Sequence, residues 1–116
     1  MKNSFNELYQ IFYGRNLSSD KTKILATQRG LENPPASVHD HTIVFSKIKN
    51  DIPIRHRLDG PAVLRKDGDT IWFVNGRFID HLIKSWAKEN DINLDNLSDE
   101  DKILIKLVWA ECGKSN

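Results

Sequence analysis

The sequence predicts an α+β fold: a small antiparallel β-meander packed by C-terminal helices, with two short N-terminal helices beside it. Three observations predict it. Asp67-Gly68 and Asn75-Gly76 stand between short apolar runs, and both dipeptides suit the central positions of a type I′ turn, where φ must be positive. Apolar residues recur at helical spacing at Phe5, Leu8, Tyr9, Phe12 and again at Ile79, Leu82, Ile83, Trp86. Serines stand where helix N-caps are expected, at Ser4, Ser19 and Ser98. With 116 residues the chain reads as a single domain: 1–30 a helical part, 42–79 the meander and 80–113 a helical pair.

In chain order, Ser4 and Glu7 form a capping box for a helix whose aromatic stripe, Phe5 to Phe12, reads as core packing, with Gly14 as its stop. A second helix is expected from about Asp20 to Arg29, between Ser19 and Gly30, with Ile24 and Leu25 as its strong apolar residues. Pro34-Pro35 ends helical structure and starts an extended connection. Thr42 to Ile48 is β-branched and aromatic, hence a strand; Asn50-Asp51 suggests a turn, and Ile52-Pro53-Ile54 a short edge strand. The meander proper is expected over Pro61–Lys66, Asp69–Val74 and a third strand from Arg77. A two-residue loop at Asp67-Gly68 would pair Lys66 with Asp69, Leu64 with Ile71 and Ala62 with Phe73. Residues 80 to about 90 form an amphipathic helix opened by Asp80, and Leu94 and Leu97 anchor the polar connection that follows.

The last helix starts at Ser98, with Asp101 at the third position of its capping box. On a helical wheel Ile103, Leu104, Leu107 and Val108 form the main apolar stripe, expected to face the core. Ile105 and Trp109 extend it sideways, and they are the candidate partner-binding residues. Gly113 ends the helix, and no internal repeat is visible beyond the stretch around residues 55–79.

That stretch, RHRLDGPAVLRKDGDTIWFVNGRFI, resembles a short repeat found in tailed phages, large viruses and some bacteria, similar to MORN-type repeats. The pattern is His-Arg-x-Asp-Gly-Pro-Ala, a Gly-containing turn, then an aromatic strand ending Asn-Gly. His56, Arg57, Asp59, Gly60, Pro61, Ala62, Gly68, Trp72, Asn75 and Gly76 match it. The family usually has tandem copies, whereas this chain shows one, over residues 56–76, and then turns helical. The resemblance implies a β-hairpin scaffold and a phage-type accessory protein; it carries over no chemistry.

With 17 Lys and Arg against 16 Asp and Glu, no global field argues for nucleic acid. The distribution is uneven: residues 80–116 hold eight acidic side chains and five basic ones. Cys112 is the one cysteine, so no intrachain disulfide can form, which suits a reducing cytosol. The N-terminus carries no long apolar run and no stretch approaches a membrane span, so a cytoplasmic location is expected, that of a host cell if the chain is phage-encoded.

The sequence contains no G-x-S-x-G, phosphate-binding Gly-rich loop or paired-cysteine motif, and no enzymatic activity and no cofactor are expected. His39 and His41, at i and i+2, are spaced as half of a zinc site with no further ligand nearby. His56 beside Asp59 has the composition of an acid–base pair, but the repeat pattern makes that pair structural. The expected function is binding and modulating a host macromolecule, foremost a protein such as a defence or nucleic-acid enzyme; a homodimer is the other use of the same surface. The alternative is nucleic-acid binding through a basic and aromatic hairpin formed by Arg55, Arg57, Arg65, Lys66, Trp72 and Arg77.

Overall fold

A computed structural model describes residues 4–113, and over that range it is an α+β fold of four helices and eight short strands. Helix α1, Phe5–Phe12, is capped by Ser4, whose side chain accepts the Glu7 N–H. It buries Leu8 and Phe12, while Phe5, Tyr9 and Tyr13 stack in a ladder at centroid spacings of 5.2 and 5.0 Å. Helix α2, Asp20–Gln28, ends in a Schellman motif. Gly30 takes φ +77°, its N–H reaches Thr27 O at 3.0 Å, and the Leu31 N–H reaches Ala26 O at 2.9 Å. Of its two strong apolar residues, Leu25 is half-buried and packs on the core while Ile24 is exposed, and Thr22 and Ala26 are the buried positions. The Thr22 hydroxyl donates to Asn16 O at 2.8 Å, which fixes the rotation of the helix about its axis.

The β part is two copies of one plan. Strands β1 (Ser37–His39) and β2 (Thr42–Val44) form a hairpin; Phe45 interrupts; β3 (Ser46–Lys49) and β4 (Ile52–Arg55) form a second. Then β5 (Val63–Arg65) and β6 (Thr70–Ile71) pair, Trp72 interrupts, and β7 (Phe73–Val74) and β8 (Arg77–Phe78) pair. Backbone hydrogen bonds correspond. Ala36 N–H reaches Val44 O as Ala62 N–H reaches Ile71 O, each after a proline. His56 N–H reaches Phe45 O as Ile79 N–H reaches Trp72 O, closing each second hairpin. The chain therefore holds an internal repeat that its sequence hides. The first copy makes its turns with Asp40-His41 and Asn50-Asp51, all four at positive φ without a glycine.

The expected single meander is a four-stranded sheet in the order β1-β2-β5-β6 plus the two separate hairpins β3-β4 and β7-β8. The break falls at Trp72 because its N–H leaves the ladder for the Asp80 carboxylate, at 3.0 Å. The Asn75-Gly76 turn is as expected, with φ +53° and +81° and Val74 opposite Arg77. The Asp67-Gly68 turn is not. Leu64 lies opposite Thr70 and Val63 opposite Ile71, so the loop has one residue more than expected. Asp67 Oδ1 accepts the Asp69 N–H and only Gly68 of this loop has positive φ, a type I turn followed by a left-handed glycine.

Helix α3 (Asp80–Glu89) buries Ile83 and Ala87, with Ile79 as its buried N-cap, and leaves Leu82 exposed. Helix α4 (Asp99–Trp109) opens with the full Ser98–Asp101 capping box. The core divides in two. One part packs α1 and Ala26 on Val38, Ile43, Phe45 and Leu64; the other packs Ile83 and Ile105 on Trp72, Val74 and Ile79. Each repeat supplies its interrupting aromatic to one of them. No helix among the described residues is long and apolar enough to cross a membrane.

Candidate functional site

Helix α4 is fixed at both ends and along one side. Its first turn is held by the Ser98 capping box. Its last turn is held by Asn75, whose Nδ2 donates to Ala110 O at 3.0 Å and Cys112 O at 2.7 Å. Asn75 is buried and held in turn: His56 Nδ1 accepts its N–H at 2.9 Å, and Lys47 Nζ donates to its Oδ1. Along the side, Ile105 is fully buried, and Trp109 meets Trp86 edge to face with centroids 5.9 Å apart. Lys106 pairs with Glu32, in the connection between α2 and β1.

This anchoring reverses the expected orientation. Ile105, Trp109 and Cys112, at i, i+4 and i+7, face the core, so Ile105 and Trp109 are not the open surface. The main stripe is outside instead: Ile103 is 59% exposed, Leu104 38%, Leu107 78% and Val108 49%. Both faces of α4 are apolar; Asn75 and the Trp86–Trp109 contact decide which one turns inward.

The residues proposed for a basic and aromatic nucleic-acid site are not gathered. Trp72 is buried beneath α3 and α4 and offers no ring to a base. Arg57 is buried, with Nε donating to Asp59 Oδ1 at 2.7 Å, Nη1 donating to Pro61 O at 3.1 Å, and its guanidinium 4.1 Å from the Phe45 ring centroid. Gly60 is required there, since a Cβ would meet the Arg57 guanidinium at 2.6 Å. Arg65 is exposed and 3.9 Å from Asp69, Lys66 is exposed on the turn, and Arg77 lies against Gly113 beyond α4. Only Arg55 keeps an aromatic setting that is open, 5.4 Å from the Phe73 ring. Phe73 continues edge to face into exposed Phe78, and Phe78 into His81.

Asp59 also accepts the Glu32 N–H at 3.2 Å, so the Arg57–Asp59 pair joins the first helical part to the second repeat. Burial pushes its carboxyl up, but the Arg57 charge and hydrogen bond, with backbone N–H donors, outweigh it and hold the group below its ordinary 3.8. Asp59 and His56 thus serve separate contacts. His39 lies on β1 while His41 sits in the turn beside Tyr9, so the pair does not share a strand face. No group of three or more His, Cys, Asp or Glu among the described residues could hold a metal ion.

A cleft of about 730 Å³ lies between the end of α2, the Arg57–Pro61 turn and Leu94–Leu97. Three of its cations are matched by carboxylates, Arg29 with Glu7, Arg57 with Asp59 and Arg65 with Asp69. Compared with protein-family models, curated proteins and solved structures, the chain matches none.

Proposed function

We propose that this chain is a non-enzymatic binding protein that docks a partner protein on the outer face of α4. The observation that carries the reading is the stripe Ile103, Leu104, Leu107 and Val108, open on a helix whose other face is already satisfied by the core. Four side chains this open present on the order of 400 Å² of apolar surface, the size of patch that is often functional on a monomer. The resemblance of residues 56–76 to phage-type repeats supports the finer reading: an accessory protein of the host cytoplasm that modulates a host enzyme of defence or nucleic-acid metabolism.

The test compares the tagged chain with a Leu107→Asp variant in nuclease-treated bacterial lysate, with captured proteins identified by mass spectrometry. One protein captured in near-stoichiometric amount by the natural chain and lost with Leu107→Asp, whose unfolding midpoint stays unchanged, supports the reading. Equal capture by both, or by neither, removes it. Arg55 over Phe73, continued by Phe78 and His81, favours a second reading in which single-stranded nucleic acid stacks on that strip. Recovery of nucleic acid alone in the untreated lysate would select it.

A further inference from the structure

The open stripe of α4 has a charged end. Between Glu89 and Asp101 the chain carries six carboxylates and no Lys or Arg. Asp91, Asp95, Asp99 and Glu100 are all exposed, and Glu100 lies on the same face as Ile103, Leu104 and Leu107. The positive end of the helix dipole, about half a charge, offsets only part of the three acids in the first turn. The lysines of α4 do not compensate on that face. Lys106 is paired with Glu32, and Lys102 borders the cleft.

Resting on the protein-binding reading, we infer that the partner presents an amphipathic helix whose apolar stripe is bounded at one end by Lys or Arg. A helical occupant follows from the shape: residues at i, i+4 and i, i+3 spacing form ridges that another helix packs against at about 8–10 Å. The basic end follows from charge complementarity with Asp99 and Glu100. A second copy of this chain fits less well. Self-pairing in parallel sets one acidic turn against another. Antiparallel pairing sets it against residues 109–113, which include no Lys or Arg. Nucleic acids and anionic membranes are repelled by the same carboxylates.

The experiment is a display selection on the intact chain with a library of 16-residue amphipathic peptides. The apolar stripe is fixed and the flanking positions are randomised among Lys, Arg, Glu, Asp and Ser. Enrichment of Lys and Arg at one flank by at least tenfold over Glu and Asp supports the inference, provided that Leu107→Asp abolishes it and Asp99→Lys with Glu100→Lys turns the preference towards acids. Binders with no charge preference overturn the basic partner and leave docking on α4 standing. A dimer in sedimentation that Leu107→Asp converts to monomer makes the occupant a second copy, and the inference fails. No enrichment, from a monomer whose Leu107→Asp variant captures the same proteins as the natural chain, overturns both readings.

Discussion

Helices α1 and α4 each carry a four-residue apolar stripe on one helical face, and the fold uses the two stripes in opposite ways. In α1 the stripe Phe5, Leu8, Tyr9, Phe12 faces inward, and Leu8 and Phe12 are fully buried. In α4 the stripe Ile103, Leu104, Leu107, Val108 faces outward, and the core takes Ile105, Trp109 and Cys112 from the other side. The difference lies in what else each helix offers. Away from its stripe α1 is mostly polar, so one orientation buries far more apolar surface than any other. Beyond its acidic first turn helix α4 is apolar on two sides, so two orientations compete, and contacts outside the helix choose between them. Periodicity identifies a face; it does not say whether the tertiary structure has material to cover it.

The largest expected effect tests that contrast directly. Phe12→Ala should lower stability by about 3–5 kcal/mol in urea unfolding, since it empties a packed site, whereas Leu107→Ala should stay within about 0.5 kcal/mol. Equal losses would mean that α4 is turned the other way in solution. Asp59→Ala, at the joint between the α1 side and the second repeat, should also cost about 3–5 kcal/mol, because it leaves Arg57 buried without its partner. Its pH dependence has a definite sign. The folded Asp59 holds its proton less tightly than the unfolded one, so its contribution is complete above 3.8 and is lost as pH falls through the lower folded value. The natural chain should show an acid-side loss of stability that Asp59→Asn lacks.

A smaller effect isolates the device that orients α4. Asn75→Gly keeps the turn geometry but removes the side chain that holds Ala110 O and Cys112 O. It should cost roughly 1–3 kcal/mol and speed amide exchange in the last turn of α4 while leaving α1 unchanged. Unaltered exchange there would place the control of orientation in the Trp86–Trp109 contact alone.

Several features were legible because the chemistry is local. Ser4, Ser19 and Ser98 were readable as caps, and Asn75-Gly76 as a turn, because each depends on residues a few positions apart. The first repeat is legible only in part: Thr42–Ile48, the Asn50-Asp51 turn and Ile52–Ile54 stand out, but the Asp40-His41 turn and the likeness to the second repeat do not, because Asp, His and Asn in place of glycine occupy its left-handed positions. The register of β5 and β6 differs by one residue from the expected one because Asp-Gly serves a two-residue or a three-residue loop equally well, and the Asp67 side chain decides between them. Among the candidate site residues, Trp72 and Arg57 had the right chemistry for nucleic acid but are consumed by packing and by Asp59.

The sequence by itself determined the α+β class, all four helices, the serine caps of three of them and the acidic character of the chain around α4. These rest on short-range hydrogen bonds, side-chain periodicity and composition. Only the tertiary structure decided that Ile105 and Trp109 are core and that Leu107 is surface. That choice belongs to Asn75 and Trp86, which are distant in sequence and meet α4 only when the chain is folded.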